Sequence, residues 1–269
     1  MLTRIISLAM LTIKEGVRHK VLSGIGLMAV VMSVFALLLP QLFSYDLKKV
    51  AIDLGLSAMS LSGLMIIFFL AVNILGRDID KRTIYIILAT RVSRVEYIWG
   101  KFLGVLGLLL ISFTVLSLLL SLVVYGITFM YPTTYGLPFS WGTLLLAQLF
   151  LFLELIIIAA VVFFFSSFTS SFYLTILLGG LFYIIGTSIE NIQFAMSTKA
   201  SHTSLDMVGL LNIIKWIFPN LSAFDLKSIA AYSLPVDCVM LCCTALYCFI
   251  YVAILLFFTM FIFNKRELG

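Results

Sequence analysis

The sequence predicts an all-α polytopic membrane protein, a single domain over residues 1–269 with six membrane-spanning helices. Two observations carry that class. The chain is 63% hydrophobic and only 11% charged, whereas a soluble domain is roughly half apolar, and a chain of this length could not hide the excess. Runs of about 20 apolar residues, the length that crosses a bilayer, recur from one end to the other. No polar stretch is long enough to build a soluble core of its own.

The elements follow in order. Residues 1–20 are too charged to cross. Arg4, Ser7, Lys14 and Arg18 fall on one helical face and Leu2, Ile5, Ile6, Ala9, Ile13 and Val17 on the other, with Leu11 spoiling the polar stripe. That pattern predicts an amphipathic helix lying in the membrane interface. A cleaved signal peptide is the weaker alternative, because no small-x-small site follows the apolar run of the first span. The six spans are predicted at Val21–Leu42, Asp53–Gly76, Glu96–Met130, Gly142–Phe168, Ser171–Ile189 and Val236–Phe263. The third exceeds the ~20 residues a crossing needs, so it tilts or extends beyond the bilayer. Between the second and third lies Gly76–Gly104, the densest charge cluster in the chain. Ser166–Ser171, SSFTSS, is a tight polar turn between the fourth and fifth spans. Residues 190–235 form a longer segment before the sixth. Within it Val208–Phe224 is apolar but interrupted by Pro219, which predicts short re-entrant or interfacial helices rather than a seventh crossing.

Orientation follows from the basic residues. Twelve of the 17 Lys and Arg fall on one side of this topology, leaving Lys48, Lys49, Lys199, Lys215 and Lys227 on the other. The positive-inside rule then puts both termini and the Gly76–Gly104 segment in the cytoplasm, and residues 190–235 outside. An even number of spans satisfies that result. The formal net charge of +5 is thereby a topology signal, and no nucleic-acid partner is needed to explain it.

Catalytic and metal-binding constellations are not evident. Cys238, Cys242, Cys243 and Cys248 share one apolar run without CxxC spacing or His and carboxylate partners, so packing explains them better than metal or disulfide chemistry. His19 and His202 are isolated. Glu154, in FLFLELIII, is the one acid well inside a span. An intramembrane carboxylate is costly and faces a bundle interior, a partner or a water-filled cavity. Two readings stay open: a substrate- or ion-contacting residue of a translocation pathway, or a structural glutamate that is protonated or hydrogen-bonded, with Gln148 or a neighbouring serine as its partner. Gly100, Gly104 and Gly107 stand at helical spacing at the start of the third span, where small residues allow close helix approach. Packing within one subunit is preferred there over a dimer seam.

The segment DKRTIYIILATRVSRVEYIWGKFLG resembles the coupling-helix segment of ABC-2-type (type V exporter) ABC transporter permeases. Thr83, Leu88, Ser93, Arg94, Tyr97, Gly100 and Lys101 stand at matching positions. Val92 stands where proline is usual, which sets the helix end less sharply, and Arg82 stands where glycine is frequent. TIKEGVRHKVL, Thr12 to Leu22, is similar to that family's elbow helix. SSFTSS, FPNLSAFD and the closing FNKREL are similar to further family features in the same order.

The resemblance implies an N-terminal elbow helix over residues 1–20 and a cytoplasmic coupling helix over residues 77–94. It implies a permease that forms the translocation pathway as a dimer, a homodimer by preference, with two separate ATP-binding subunits docked on the cytoplasmic face. Asp78, Asp80, Lys81, Arg82, Thr83, Arg91, Ser93 and Arg94 would then be the ATPase-coupling residues, and Glu154 the candidate pathway residue. The implied setting is a bacterial or archaeal inner membrane, and the implied direction is export. The chain has no G-x4-G-K-[ST] phosphate loop, so ATP and magnesium would be used by the partner subunit and no cofactor by this chain. From the residues alone, the same charged loop also reads as a linker that merely fixes topology. A non-transporting membrane anchor that positions an ATPase or secretion partner is the competing function.

Overall fold

Ser93 opens the longest helix with a reciprocal cap. Its N–H donates to Glu96 Oε2 at 2.9 Å while its Oγ accepts from the Glu96 N–H at 3.2 Å, the S-x-x-E arrangement that satisfies two otherwise orphaned groups at a helix start. The computed structural model describes residues 2–18, 47–68, 93–130, 140–169, 171–198 and 218–265. Among these the chain is all helical, without strands: α1 (Leu2–Arg18), α2 (Leu47–Ile66), α3 (Arg94–Met130), α4 (Trp141–Phe168), α5 (Phe172–Thr198), α6 (Lys227–Tyr232) and α7 (Cys238–Lys265), with a 3-10 turn at Ser222–Phe224. Five of them, α2 to α5 and α7, are long and apolar enough to cross a membrane. The chain is a helical, multi-pass membrane protein. The predicted first span, Val21–Leu42, and residues 77–92 of the charged loop lie outside the described residues.

Boundaries differ from the sequence reading where charge had argued against a helix. The second span was expected from Asp53, yet α2 begins at Leu47 and carries Lys48 and Lys49 in its first turn. Helix geometry continues past the point where hydropathy falls. The fifth was expected to end at Ile189, whereas α5 runs on to Thr198 through a polar stretch. At α7 the sequence expected Val236, but Asp237 caps the helix, its Oδ1 accepting the Val239 N–H at 3.0 Å, so the first helical residue is Cys238.

α4 is the hub of the bundle. It packs against α2, α3, α5, α6 and α7, and 72% of its apolar stretch is buried, against 22% for α5 and 28% for α7. The outer faces of α5 and α7 expose Leu174, Leu177, Leu181 and Ile184, and Phe249, Ile254, Phe257 and Phe261, as helices bordering lipid do. A 2.6 Å bond between the Thr169 and Thr175 hydroxyls ties the α4–α5 turn. In the same turn the Thr169 N–H and hydroxyl both donate to the Phe165 carbonyl, covering a helix end that would otherwise be bare.

α1 lies along the N-terminal part of α3 and has three faces rather than the two expected. Ile5, Leu8, Ala9, Thr12 and Gly16 pack on α3; Ser7, Leu11 and Lys14 point away; and Ile6, Met10 and Val17 form an exposed apolar strip between them. The glycines of α3 make the contact. A methyl group on Gly100 would stand 2.6 Å from Leu8 Cβ, one on Gly104 2.5 Å from Thr12 Cβ and 3.0 Å from the Ala9 carbonyl, and one on Gly107 2.8 Å from Ile13 Cδ1. The glycine stripe is thus a seam within one subunit, as preferred from the sequence, and its partner is α1.

Candidate functional site

α2 from Lys49 to Ser60, the middle of α4, α5 from Tyr183 to Glu190 and the segment 221–232 line a cavity of about 730 Å³. Lys49, Asp53, Ser57 and Ser60 descend one face of α2 at helical spacing. From Lys49 to Ser60 the cavity wall falls about 16 Å along the helix axis at 1.5 Å per residue. Tyr183, Thr187 and Glu190 do the same on α5, again at i, i+4 and i+7. Asp53, Ser57, Glu190 and Asp225 are exposed at the rim, while Ser60 and Glu154 are buried at the floor, each 7% exposed. Glu154 is 13 residues from the start of α4 and 14 from its end, so the floor lies at mid-bundle.

The segment after Pro219 forms the remaining wall by folding back onto α5. The Leu221 N–H donates to the Gly186 carbonyl at 3.2 Å and the Ser222 hydroxyl to the Thr187 carbonyl at 2.8 Å. A side chain at Gly186 would meet Leu221 and the Pro219 carbonyl, so the crossing needs glycine there. Leu221, Phe224, Leu226 and Ala230 are buried. α6, six residues long, spans only about 9 Å and does not cross. Residues 199–217, which hold most of the stretch expected to form re-entrant or interfacial helices, lie outside the described residues.

Electrostatically the cavity is mixed but unbalanced, with four carboxylates (Asp53, Glu154, Glu190, Asp225) and two ammonium groups (Lys49, Lys227). Lys227 Nζ pairs with Asp225 at 3.6 Å, and Lys49 Nζ stands 4.8 Å from the Tyr232 ring centroid. Glu154 has no hydrogen-bond or ion-pair partner among the described residues, and neither do Asp53 and Glu190. The Gln148 partnership left open by the sequence is not made. Gln148 Oε1 accepts from the Ser117 hydroxyl at 2.6 Å, because six residues along a helix turn a side chain some 120° away from Glu154. Among the described residues no group of three His, Cys, Asp or Glu could hold a metal ion.

A second polar cluster lies at the other end of α7, which runs from beside α6 to the start of α3. Arg94 Nη1 donates to the carbonyls of Phe263 and Asn264 at 3.2 and 3.0 Å, covering orphan acceptors of the last turn of α7 with a cation the helix dipole favours. Tyr97 stacks on Phe263 with ring centroids 6.0 Å apart. Arg4 of α1 approaches Glu96 at 3.9 Å, and the buried Lys101 reaches Glu15 of α1 at 3.5 Å. Ser93 and Arg94 therefore join α1, α3 and α7 into one polar knot. The other six predicted coupling residues, Asp78, Asp80, Lys81, Arg82, Thr83 and Arg91, lie outside the described residues.

Sequence reasoning found Glu154 through its cost but missed Asp53, Glu190, Asp225, Lys49 and Lys227 as its neighbours. The i, i+4, i+7 polar spacing on α2 and α5 was the available signal, masked because each residue reads alone as the solvated end of a span. Compared with known proteins, the sequence matches no protein-family model and no curated protein.

Proposed function

We propose that this chain is the membrane-spanning permease subunit of an ATP-driven ABC-2-type transporter, an exporter by direction, working as a homodimer with two separate ATP-binding subunits. The observation that carries the reading is the polar cavity descending to Glu154 at mid-bundle. A membrane anchor has no use for buried polar volume, whereas a cargo pathway requires it.

The drive would enter at the opposite end of α7. An ATPase docked on the loop helix 77–94 would push on a segment whose last residues, Ser93 and Arg94, are bonded to the start of α3 and the end of α7. Force on the loop would thereby reach both spans and the α1 elbow together, and α4, which packs against α3 and α7 and carries Glu154, would pass it to the cavity. The six-span topology with cytoplasmic termini belongs to the same reading.

Reconstitution with the ATP-binding subunit in vesicles tests it. Reversing charge at Asp80, Arg82 and Arg91 is expected either to release the ATPase from the purified complex or to leave ATP hydrolysis running without flux. Unchanged assembly and flux in that triple variant would remove the coupling assignment. An intact complex that moves no cargo would favour the anchor.

A further inference from the structure

The cavity lining carries four carboxylates against two ammonium groups, Lys49 and Lys227. Lys227 is engaged with Asp225 at 3.6 Å. Asp53, Glu190 and Glu154 have no ion-pair or hydrogen-bond partner among the described residues. Glu154 is decisive, because it is 7% exposed and lines the cavity floor. A carboxylate so placed is costly unless it takes up a proton or a compensating charge reaches it.

We propose that this cavity binds an organic cation, a molecule bearing a protonated amine that enters past Asp53 and Glu190 and pairs with Glu154 at the floor. An anionic ligand would add charge of the wrong sign, and a neutral one would leave the charge of the carboxylates uncompensated. A bare metal ion is disfavoured differently, since no three described His, Cys, Asp or Glu converge closely enough to coordinate one. The carboxylates are instead spread from rim to floor, with the Ser60 and Tyr183 hydroxyls between them, which suits an extended molecule with further hydrogen-bonding groups. A volume of about 730 Å³ falls in the range of small-molecule sites, about 300–1,000 Å³. Calling this ligand the cargo rests on the permease reading; its binding does not.

The test is equilibrium binding to the full chain in nanodiscs of neutral phosphatidylcholine, with empty discs subtracted. Dansylcadaverine is the amine probe, its N-acetylated form the neutral control and dansylglycine the acidic one. Saturable binding of the amine is expected, at least tenfold weaker for either control and at least tenfold weaker in Glu154→Gln. Asp53→Asn and Glu190→Gln, at the exposed rim, are expected to weaken it severalfold, and they carry the test if Glu154→Gln does not fold. The proposal is overturned if the amine shows no saturable binding, if it binds no better than its acetylated form, or if the folded variants all bind like the wild type. The two readings fail separately. Amine binding without any ATP-driven flux removes the permease and leaves the site, whereas flux of neutral cargo without amine binding removes the cation assignment and leaves the permease.

Discussion

Glu96 illustrates how much a single charged residue does in a chain with few of them. It closes the cap with Ser93 and stands 3.9 Å from Arg4. Replacing it with alanine is expected to cost about 1 kcal/mol, as lost caps do, and to lower the midpoint of thermal unfolding in detergent by a few degrees. The Arg4 contact adds little, because Arg4 is half exposed and such pairs are screened. Glutamine can make the same reciprocal cap, so Glu96→Gln is expected to keep most of the stability; a loss equal to that of alanine would mean the ion pair matters more than the cap. The sequence carries this cap as Ser-Arg-Val-Glu, with S-x-x-E spacing, a signature that the placement of the third span from Glu96 did not use. The second role of Arg94 was not legible, because its partners are backbone carbonyls 169 and 170 residues away. No local pattern encodes a contact of that range.

At the scale of elements, the seam between α1 and α3 depends on glycine. Gly104→Leu would drive a side chain into Thr12 and the Ala9 carbonyl, and overpacking of this kind costs about 1–3 kcal/mol. Since Thr12 and Ala9 sit on a helix rather than on a flexible tip, α1 is expected to separate from α3. Glu15 and Lys101, which meet at 3.5 Å when α1 is seated, should then be joined more slowly by a carbodiimide than with Gly104 intact, and an unchanged rate would show that α1 is held elsewhere. Apolar length made the helices themselves readable: α4 begins one residue before its predicted start and ends where expected. α2 was placed six residues late because Lys48 and Lys49 lower hydropathy without breaking a helix. The amphipathic face of α1 was also legible, but not its division in three. Ile5 and Ala9 look alike to a periodicity argument whether they meet lipid or another helix.

For the molecule as a whole, the excess of basic residues on one side predicts an orientation that a thiol reagent can read. In a variant with the four native cysteines replaced, Ser228→Cys beside the cavity is expected to react with a membrane-impermeant maleimide on intact cells. Ser7→Cys on α1 is expected to react only after permeabilisation, and the reverse pattern would invert the topology. The cavity is the part of the molecule least visible in the sequence, since its walls come from four separate segments joined only by the fold. Its floor showed through because one acid among apolar neighbours needs a reason to be there. A last consequence concerns α1 and the bilayer. α3 has 37 residues and is about 55 Å long, against a hydrocarbon core of ~30 Å. Its N-terminal part is strapped along α1, whose strip of Ile6, Met10 and Val17 is bare and suits the headgroup boundary. With that strip seated in the headgroups, α1 would act as an outrigger, fixing the height at which α3 enters the membrane, so that lipid thickness would set the lean of α3. Polarised infrared spectra in short- and long-chain lipids are expected to show α3 more tilted in the thinner bilayer, and Ile6→Asp with Met10→Asp to weaken that response. The membrane would then be a working part of the tertiary structure rather than its container.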